Sequence, residues 1–158
     1  GKITVNKKEI SIIPIIQNSI NRIALMNKDE HQIDLTIIGE PSNLLLDEIL
    51  MMHILDNIIA NAIKYSKERK APEVMVKFEK NATSIIVKDY GIGIPNQEKI
   101  KLFSSYFRGS NIKNIKGNGL GLVLVKNFVD MQNGKISLVS EENVGTTVTI
   151  DFPAIAAL

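Results

Sequence analysis

The segment Leu46 to Tyr65 places the strongest constraint on this chain. Leu50, Ile54 and Ile58, flanked by Leu55, Ile59 and Ala62, recur at three- and four-residue spacing and line one face of a long helix. A helix with such a stripe is stable only when another layer covers it. The rest of the sequence supplies that layer. Gln32–Ile38 alternates through Ile33, Leu35 and Ile37, the period of a strand. Val74–Phe78 and Ser84–Lys88 read as a strand pair joined around Asn81, and Lys135–Ser140 and Thr146–Phe152 as strands around Gly145. Another helix starts at Pro14 with Ser11 as its cap and Ile16, Ile20, Ile23 and Ala24 on one face. Shorter helices are expected over Asn96–Phe103 and, opened by glycines, over Gly119–Met131.

The 158 residues suit one domain, since domains typically run to roughly 100–200 residues. A 44% hydrophobic fraction is enough for a core and too high for a disordered tail. With 19 basic against 17 acidic residues, the chain lacks the basic field of a nucleic-acid binder, so no nucleic-acid partner is expected. The absence of cysteine excludes disulfides, thiolate metal sites and a cysteine nucleophile. The longest apolar run, Leu44–Leu55, is interrupted by Asp47, Glu48 and His53 and is too short for a membrane span. The chain opens at Gly1 rather than Met and is read as a piece of a longer protein.

Four short elements carry chemistry. Asn57 and Asn61 stand four apart on the long helix, so their amides share a face, and Lys64 follows three later. An amide oxygen is a hard neutral ligand, suited to a Mg²⁺ ion that keeps most of its waters and bridges phosphates. Taken alone, two solvent-facing asparagines fit the pattern equally well. Asp89-Tyr90-Gly91-Ile92-Gly93-Ile94-Pro95 ends a strand on a carboxylate and turns through two glycines. An ionised carboxylate only accepts hydrogen bonds, so it suits the exocyclic amino group of adenine and rejects the carbonyl of guanine. An ordinary Asp/Gly turn is the plainer alternative. Gly117-Asn118-Gly119-Leu120-Gly121-Leu122 bares backbone N–H groups at a helix start, where an anion is favoured. It meets neither the Rossmann nor the Walker A requirement. Gly145-Thr146-Thr147 offers hydroxyls at a strand start. Between them, Ser104–Lys116 is a polar, basic stretch without period, long enough to be a functional loop.

Set in order, N-x-x-x-N-A-x-K-Y, D-x-G-x-G-I-P, F-x-x-Y-F-R-G, G-x-G-L-G-L and G-T-T resemble the catalytic and ATP-binding domain of sensor histidine kinases. That family sits within the superfamily of gyrase, heat-shock chaperone and mismatch-repair ATPases. The resemblance runs from about Glu9 to Pro153. It implies an α/β two-layer sandwich: a mixed β-sheet of about five strands, three helices on one face, and a long ATP lid.

By the same resemblance, Asn61 binds Mg²⁺, while Asn57 and Lys64 serve the phosphates and, with Arg108, the catalysis. Tyr65 and Ile94 border the nucleotide. Asp89 takes the adenine amino group, backed through water by Thr146, and Gly91 and Gly93 let the backbone approach the base. Phe103 and Phe107 belong to the lid's aromatic hinge, with Arg108 reaching the γ-phosphate. Gly117, Gly119 and Gly121 and the amides of Leu120 and Leu122 cradle the phosphates. Lys113 and Lys116 add positive charge opposite a triphosphate.

Asn57 chooses within the superfamily. Hydrolysing and serine-phosphorylating relatives hold a glutamate general base there, whereas histidine kinases hold asparagine. A neutral imidazole nitrogen brings its own lone pair and needs no base, so positioning and charge neutralisation suffice. The acceptor itself is expected outside this chain, because His31 lies in a loop and His53 on a helix surface. Residues 1–8 are read as the linker from a dimerisation and phosphoacceptor domain, and 9–158 as the ATP-binding domain. The implied partners are that domain and, downstream, a response-regulator receiver domain. The fragment is expected to be cytoplasmic, monomeric and unable to phosphorylate itself. Tyr90, Tyr106 and Asn118 depart from the family's commonest residues, which bears on affinity. A regulatory nucleotide-binding domain without catalysis, or an ATPase or serine-kinase relative, is the alternative.

Overall fold

A computed structural model of the chain describes residues 1–28, 32–66, 69–103 and 121–156. In chain order the elements are β1 (Lys8–Ile10), α1 (Ile12–Met26), β2 (Asp34–Ile38), β3 (Leu44–Leu46), α2 (Glu48–Tyr65), β4 (Glu73–Phe78) and β5 (Ala82–Lys88). A 3₁₀ turn (Asn96–Lys101), α3 (Gly121–Met131), β6 (Lys135–Glu141) and β7 (Gly145–Pro153) follow.

Five strands form a mixed sheet in the order β2-β4-β5-β7-β6. Only the β2–β4 pair is parallel, with Leu35 opposite Val74 and Ile37 opposite Val76. The others are antiparallel, and β5 and β7 pair from Ala82 opposite Pro153 to Lys88 opposite Thr147. Alternation along the strands buries one face: Val74, Val76 and Phe78 on β4, Ile85 and Val87 on β5, and Val148, Ile150 and Phe152 on β7. Those residues form one core with Ile16, Ile20 and Ile23 of α1, Ile54, Leu55, Ile58, Ile59 and Ala62 of α2, and Val125 and Val129 of α3. The sandwich expected from the resemblance is the architecture observed.

Three boundaries differ from the sequence reading. The sequence pattern opens the long helix at Leu46, yet Leu44–Leu46 form β3, paired antiparallel with β1 in a separate two-stranded sheet. Leu44 and Leu46 are buried while Leu45 is 51% exposed, a strand alternation hidden within three identical residues. Asp47 then stops the strand and starts the helix, its carboxylate accepting from the N–H groups of Ile49 (3.0 Å) and Leu50 (3.1 Å). Helix α1 starts at Ile12, two residues before the expected Pro14, and Ser11 at its N-cap makes no side-chain capping bond. The expected helix after Pro95 is a 3₁₀ turn ending at Lys101.

Two polar nodes tie the layers together. The Asn6 N–H donates to Asp47 Oδ2 at 2.8 Å, and the Asp47 N–H donates to Oε1 of the buried Gln132 at 2.6 Å. The entering segment, the start of α2 and the end of α3 thus meet at one residue. On the other side of α2, Asp56 accepts from the fully buried Ser19 hydroxyl (2.7 Å) and from Arg22 (2.6 Å), fastening α1 to α2. Asp56→Ala leaves that serine without its acceptor, and should lower stability by about 1–2 kcal/mol. Thermal melting should report this as a drop of several degrees with nucleotide affinity kept.

Candidate nucleotide site

The site is built at one end of the sandwich, where α2, the connection from β5 to the 3₁₀ turn and the start of β7 converge. Asp89 follows β5 directly. Its backbone N–H donates to the Thr146 carbonyl at 2.8 Å, continuing the β5–β7 ladder by one step. Its Oδ1 accepts from the N–H of Gly91 (2.9 Å) and of Thr146 (3.2 Å). Among the described residues nothing donates to Oδ2, so one carboxylate oxygen is left to accept from a ligand. Asp89 is 9% exposed. Burial pushes its carboxyl above the ordinary carboxylate value, and the Gly91 and Thr146 N–H groups pull it part of the way back.

The turn after Asp89 is held close to α2. The Ile92 N–H donates to the Tyr65 carbonyl at 3.2 Å, and a side chain on Gly91 would collide with that carbonyl. Gly93 has φ +63°, and a Cβ there would meet the Glu141 backbone. Both glycines are therefore required by close backbone approach. Three residues without a motif in the sequence also moor this turn. Arg69 donates from Nη1 to the carbonyls of Gly91 (2.7 Å) and Asn143 (3.3 Å), and the Asn143 N–H donates to the Ile92 carbonyl at 2.7 Å. Ser140, buried at the end of β6, accepts from the Ile94 N–H at 2.9 Å. Arg69 sits in a polar run and Ser140 in an ordinary strand pattern, so neither carries a sequence signal. Tyr90 packs between two lysines, with Lys70 Nζ 4.4 Å and Lys88 Nζ 5.1 Å from its ring centroid. Its bulk is accommodated by lysines and not by the carboxylate's surroundings.

The second half of the site lies on α2. Asn57 and Asn61 are half-buried on one face. The Asn57 Nδ2 donates to the His53 carbonyl at 2.8 Å, which leaves Oδ1 as the outward atom. His53 orients Asn57 through its backbone, while its ring lies tilted against Phe128, 6.1 Å between centroids. Gly121, the first residue of α3, faces both asparagines: a Cβ there would lie 3.1 Å from Asn57 Oδ1 and 4.0 Å from Asn61 Nδ2. The glycine brings the N-terminus of α3, and Leu122 with it, against the asparagine face. Lys64 lies with its Nζ 5.0 Å from the Tyr65 ring centroid, at the end of α2 nearest the Asp89 turn. Of the remaining expected site residues, Phe103 is half-buried after the 3₁₀ turn. Phe107, Arg108, Gly117, Gly119 and Leu120 lie outside the described residues, as do Lys113 and Lys116.

An open carboxylate beyond the C-terminal end of α2 and an asparagine face under a helix start along it are groups suited to a base and its phosphates. Comparison with known proteins agrees. Residues 46–156 match the family described as "Histidine kinase-, DNA gyrase B-, and HSP90-like ATPase". The chain belongs to that family. It is 33% identical over 151 residues to the sensor histidine kinase YvrG of Bacillus subtilis (strain 168), covering 94% of this chain and 26% of that protein. It is 35% identical over 157 residues to the sensor protein kinase WalK of Staphylococcus haemolyticus (strain JCSC1435), covering 94% of this chain and 25% of that protein. The chain thus spans about a quarter of the length of these curated relatives. The solved mycobacterial sensor histidine kinase MprB shares the fold, with a TM-score of 0.75 at 24% identity over 94% of this chain and 97% of that one.

Within this ATPase family the chain is an ATP-binding domain. Its donor set also fits a magnesium ion. Among the described residues no three His, Cys, Asp or Glu side chains group to hold a metal unaided. Mg²⁺ held by one amide and the substrate's phosphates needs no such cage. Asn61, beside the glycine-opened start of α3, is the residue suited to hold it. Bound there, the ion would neutralise phosphate charge. No helix among the described residues is long and apolar enough to cross a membrane.

Proposed function

We propose that this chain is the catalytic part of a two-component sensor kinase, delivering the γ-phosphoryl group of ATP·Mg²⁺ to a histidine on a separate domain. The observation that carries this reading is that, among the described residues beside the asparagine face, an amide and not a free carboxylate stands where a base would act. Asn57 holds the position, with its amide nitrogen bound to the His53 carbonyl. The neighbouring carboxylate on α2, Asp56, is turned to α1 and occupied by Ser19 and Arg22. Neither side chain can take a proton from water efficiently. A neutral imidazole needs no such help: its nitrogen bonds to the γ-phosphorus as the bond to the ADP oxygen breaks.

In this mechanism Asp89 and the Gly91–Ile94 turn hold the adenine, and Asn57, Asn61, Lys64 and the start of α3 hold the phosphates. Arg108 is the residue assigned to complete the charge neutralisation. Positioning thus does most of the catalytic work. The acceptor belongs to a dimerisation and phosphoacceptor domain of the parent protein, and a receiver domain takes the phosphoryl group onward. The domain acts in the cytoplasm, where ATP is present. Incubation with γ-labelled ATP should leave the isolated chain unlabelled and ATP almost unhydrolysed. Adding the parent's histidine-bearing domain should place label on that histidine. Rapid steady-state hydrolysis by the chain alone would instead favour an ATPase role.

A further inference from the structure

Gln132 directly follows α3 and is 1% exposed, a buried amide that the nucleotide chemistry above does not use. Two backbone groups face it. The Asp47 N–H donates to its Oε1 at 2.6 Å, and its Nε2 donates to the Phe128 carbonyl at 3.3 Å. An N–H only donates and a carbonyl only accepts, so one orientation of the amide satisfies both. Each side of this contact is firmly held. Asp47 Oδ1 caps α2 through Ile49 and Leu50, and its Oδ2 accepts from Asn6. Beyond Gln132, the Gly134 N–H returns to the Val129 carbonyl at 3.0 Å, and a Cβ on Gly134 would strike the Phe152 ring.

The consequence falls at the other end of α3. The helices α2 and α3 run antiparallel: the start of α2 meets the end of α3 at Asp47 and Gln132, and Asn57 meets Gly121 at the start of α3. Between these points Val125 and Val129 pack into the common core. Apolar packing has no direction, whereas a hydrogen bond keeps its strength only over a few tenths of an ångström, so the polar contact sets the axial register of the pair. Gly121 lies one helix length from Gln132, about 16 Å for the 11 residues of α3, and a stiff helix carries the register to it. Little slack exists there, because a Cβ on Gly121 would already lie 3.1 Å from Asn57 Oδ1. We propose that Gln132 is a positioning residue for the phosphate end of the nucleotide: by holding the Asp47 N–H it fixes α3 along α2, and with it the place of the α3 start beside Asn57 and Asn61. Gln132 acts through α3 and touches no ligand. The assignment rests on the ATP-binding reading above.

Adenosine carries the base without the phosphates and is the discriminating probe. Affinity for ATP·Mg²⁺ should be measured by titration calorimetry, and for adenosine by NMR shift titration, on the wild-type chain, Gln132→Met and Gln132→His. Methionine keeps the length of the side chain and removes both amide hydrogen bonds. A neutral imidazole offers one acceptor and one donor nitrogen and can replace them. In Gln132→Met the ratio of ATP to adenosine affinity should fall about three- to tenfold, the scale of one hydrogen bond. In Gln132→His it should return most of the way to wild type. Both ligands sample the same folded fraction, so a loss of stability alone cannot change the ratio. A ratio unchanged in Gln132→Met, or lowered equally in both variants, overturns this role while leaving ATP binding intact. A wild-type chain that binds neither ligand overturns the underlying reading as well.

Discussion

Asp89→Asn should abolish useful ATP binding while leaving the fold intact or slightly more stable. The Asp89 Oδ1 satisfies two backbone N–H groups, and an asparagine oxygen can keep both bonds. The amide nitrogen would then occupy the place of Oδ2 and present donors to the adenine amino group, itself a donor. Losing a charge-assisted hydrogen bond and creating a mismatch costs about 2–4 kcal/mol, roughly 30- to 1000-fold in affinity. Stability moves the other way. Burial raises the folded-state value of Asp89 above its ordinary 3.8, with the Gly91 and Thr146 N–H groups only partly opposing it. The group's contribution to stability is therefore fully present below 3.8 and is lost as pH rises through the raised folded value. At neutral pH the ionised carboxylate weighs on the fold, and a neutral isostere relieves it. Calorimetric titration and a melting curve on the same sample check both halves. Lost binding accompanied by a collapsed melting temperature would reassign Asp89 to a structural role.

Asn61→Ala should remove the magnesium-dependent part of ATP binding. Asn61 is half-buried on α2 beside the start of α3, and no described hydrogen bond draws on its side chain for the fold. Alanine is the better helix former, so α2 should persist. The expected result is a fall of about 10- to 100-fold in affinity with Mg²⁺ present, the range of one lost hard ligand or charged contact. With the metal chelated, variant and wild type should bind ATP alike. An equal loss with and without Mg²⁺ would show Asn61 acting on the nucleotide directly or on the helix.

The sequence made the architecture legible because its periods are strong. The α2 stripe and the alternating β4, β5 and β7 residues each have one solution, and the observed core contains them. Leu44–Leu46 failed for the same reason: three identical apolar residues carry no alternation, and only pairing with Lys8–Ile10 makes them a strand. In the site, the residues within motifs were readable because their chemistry is special at that place, such as a carboxylate before two glycines. Arg69, Ser140 and Asn143 were not. They act on backbone groups brought near by tertiary structure, and a serine or arginine bonded to a carbonyl leaves no pattern in the chain. Gly121 was legible as a glycine at a helix start. Its immediate reason, the approach of α3 to Asn57, needed the packed helices.

The most direct test is a calorimetric titration of the unmodified chain with ATP, run with Mg²⁺ and again with the metal chelated. The expected result is a single site per chain, tightened by Mg²⁺ and lost in Asp89→Asn. No saturable binding, or binding indifferent to both the metal and Asp89, would contradict an ATP site between Asp89 and the Asn57–Asn61 face.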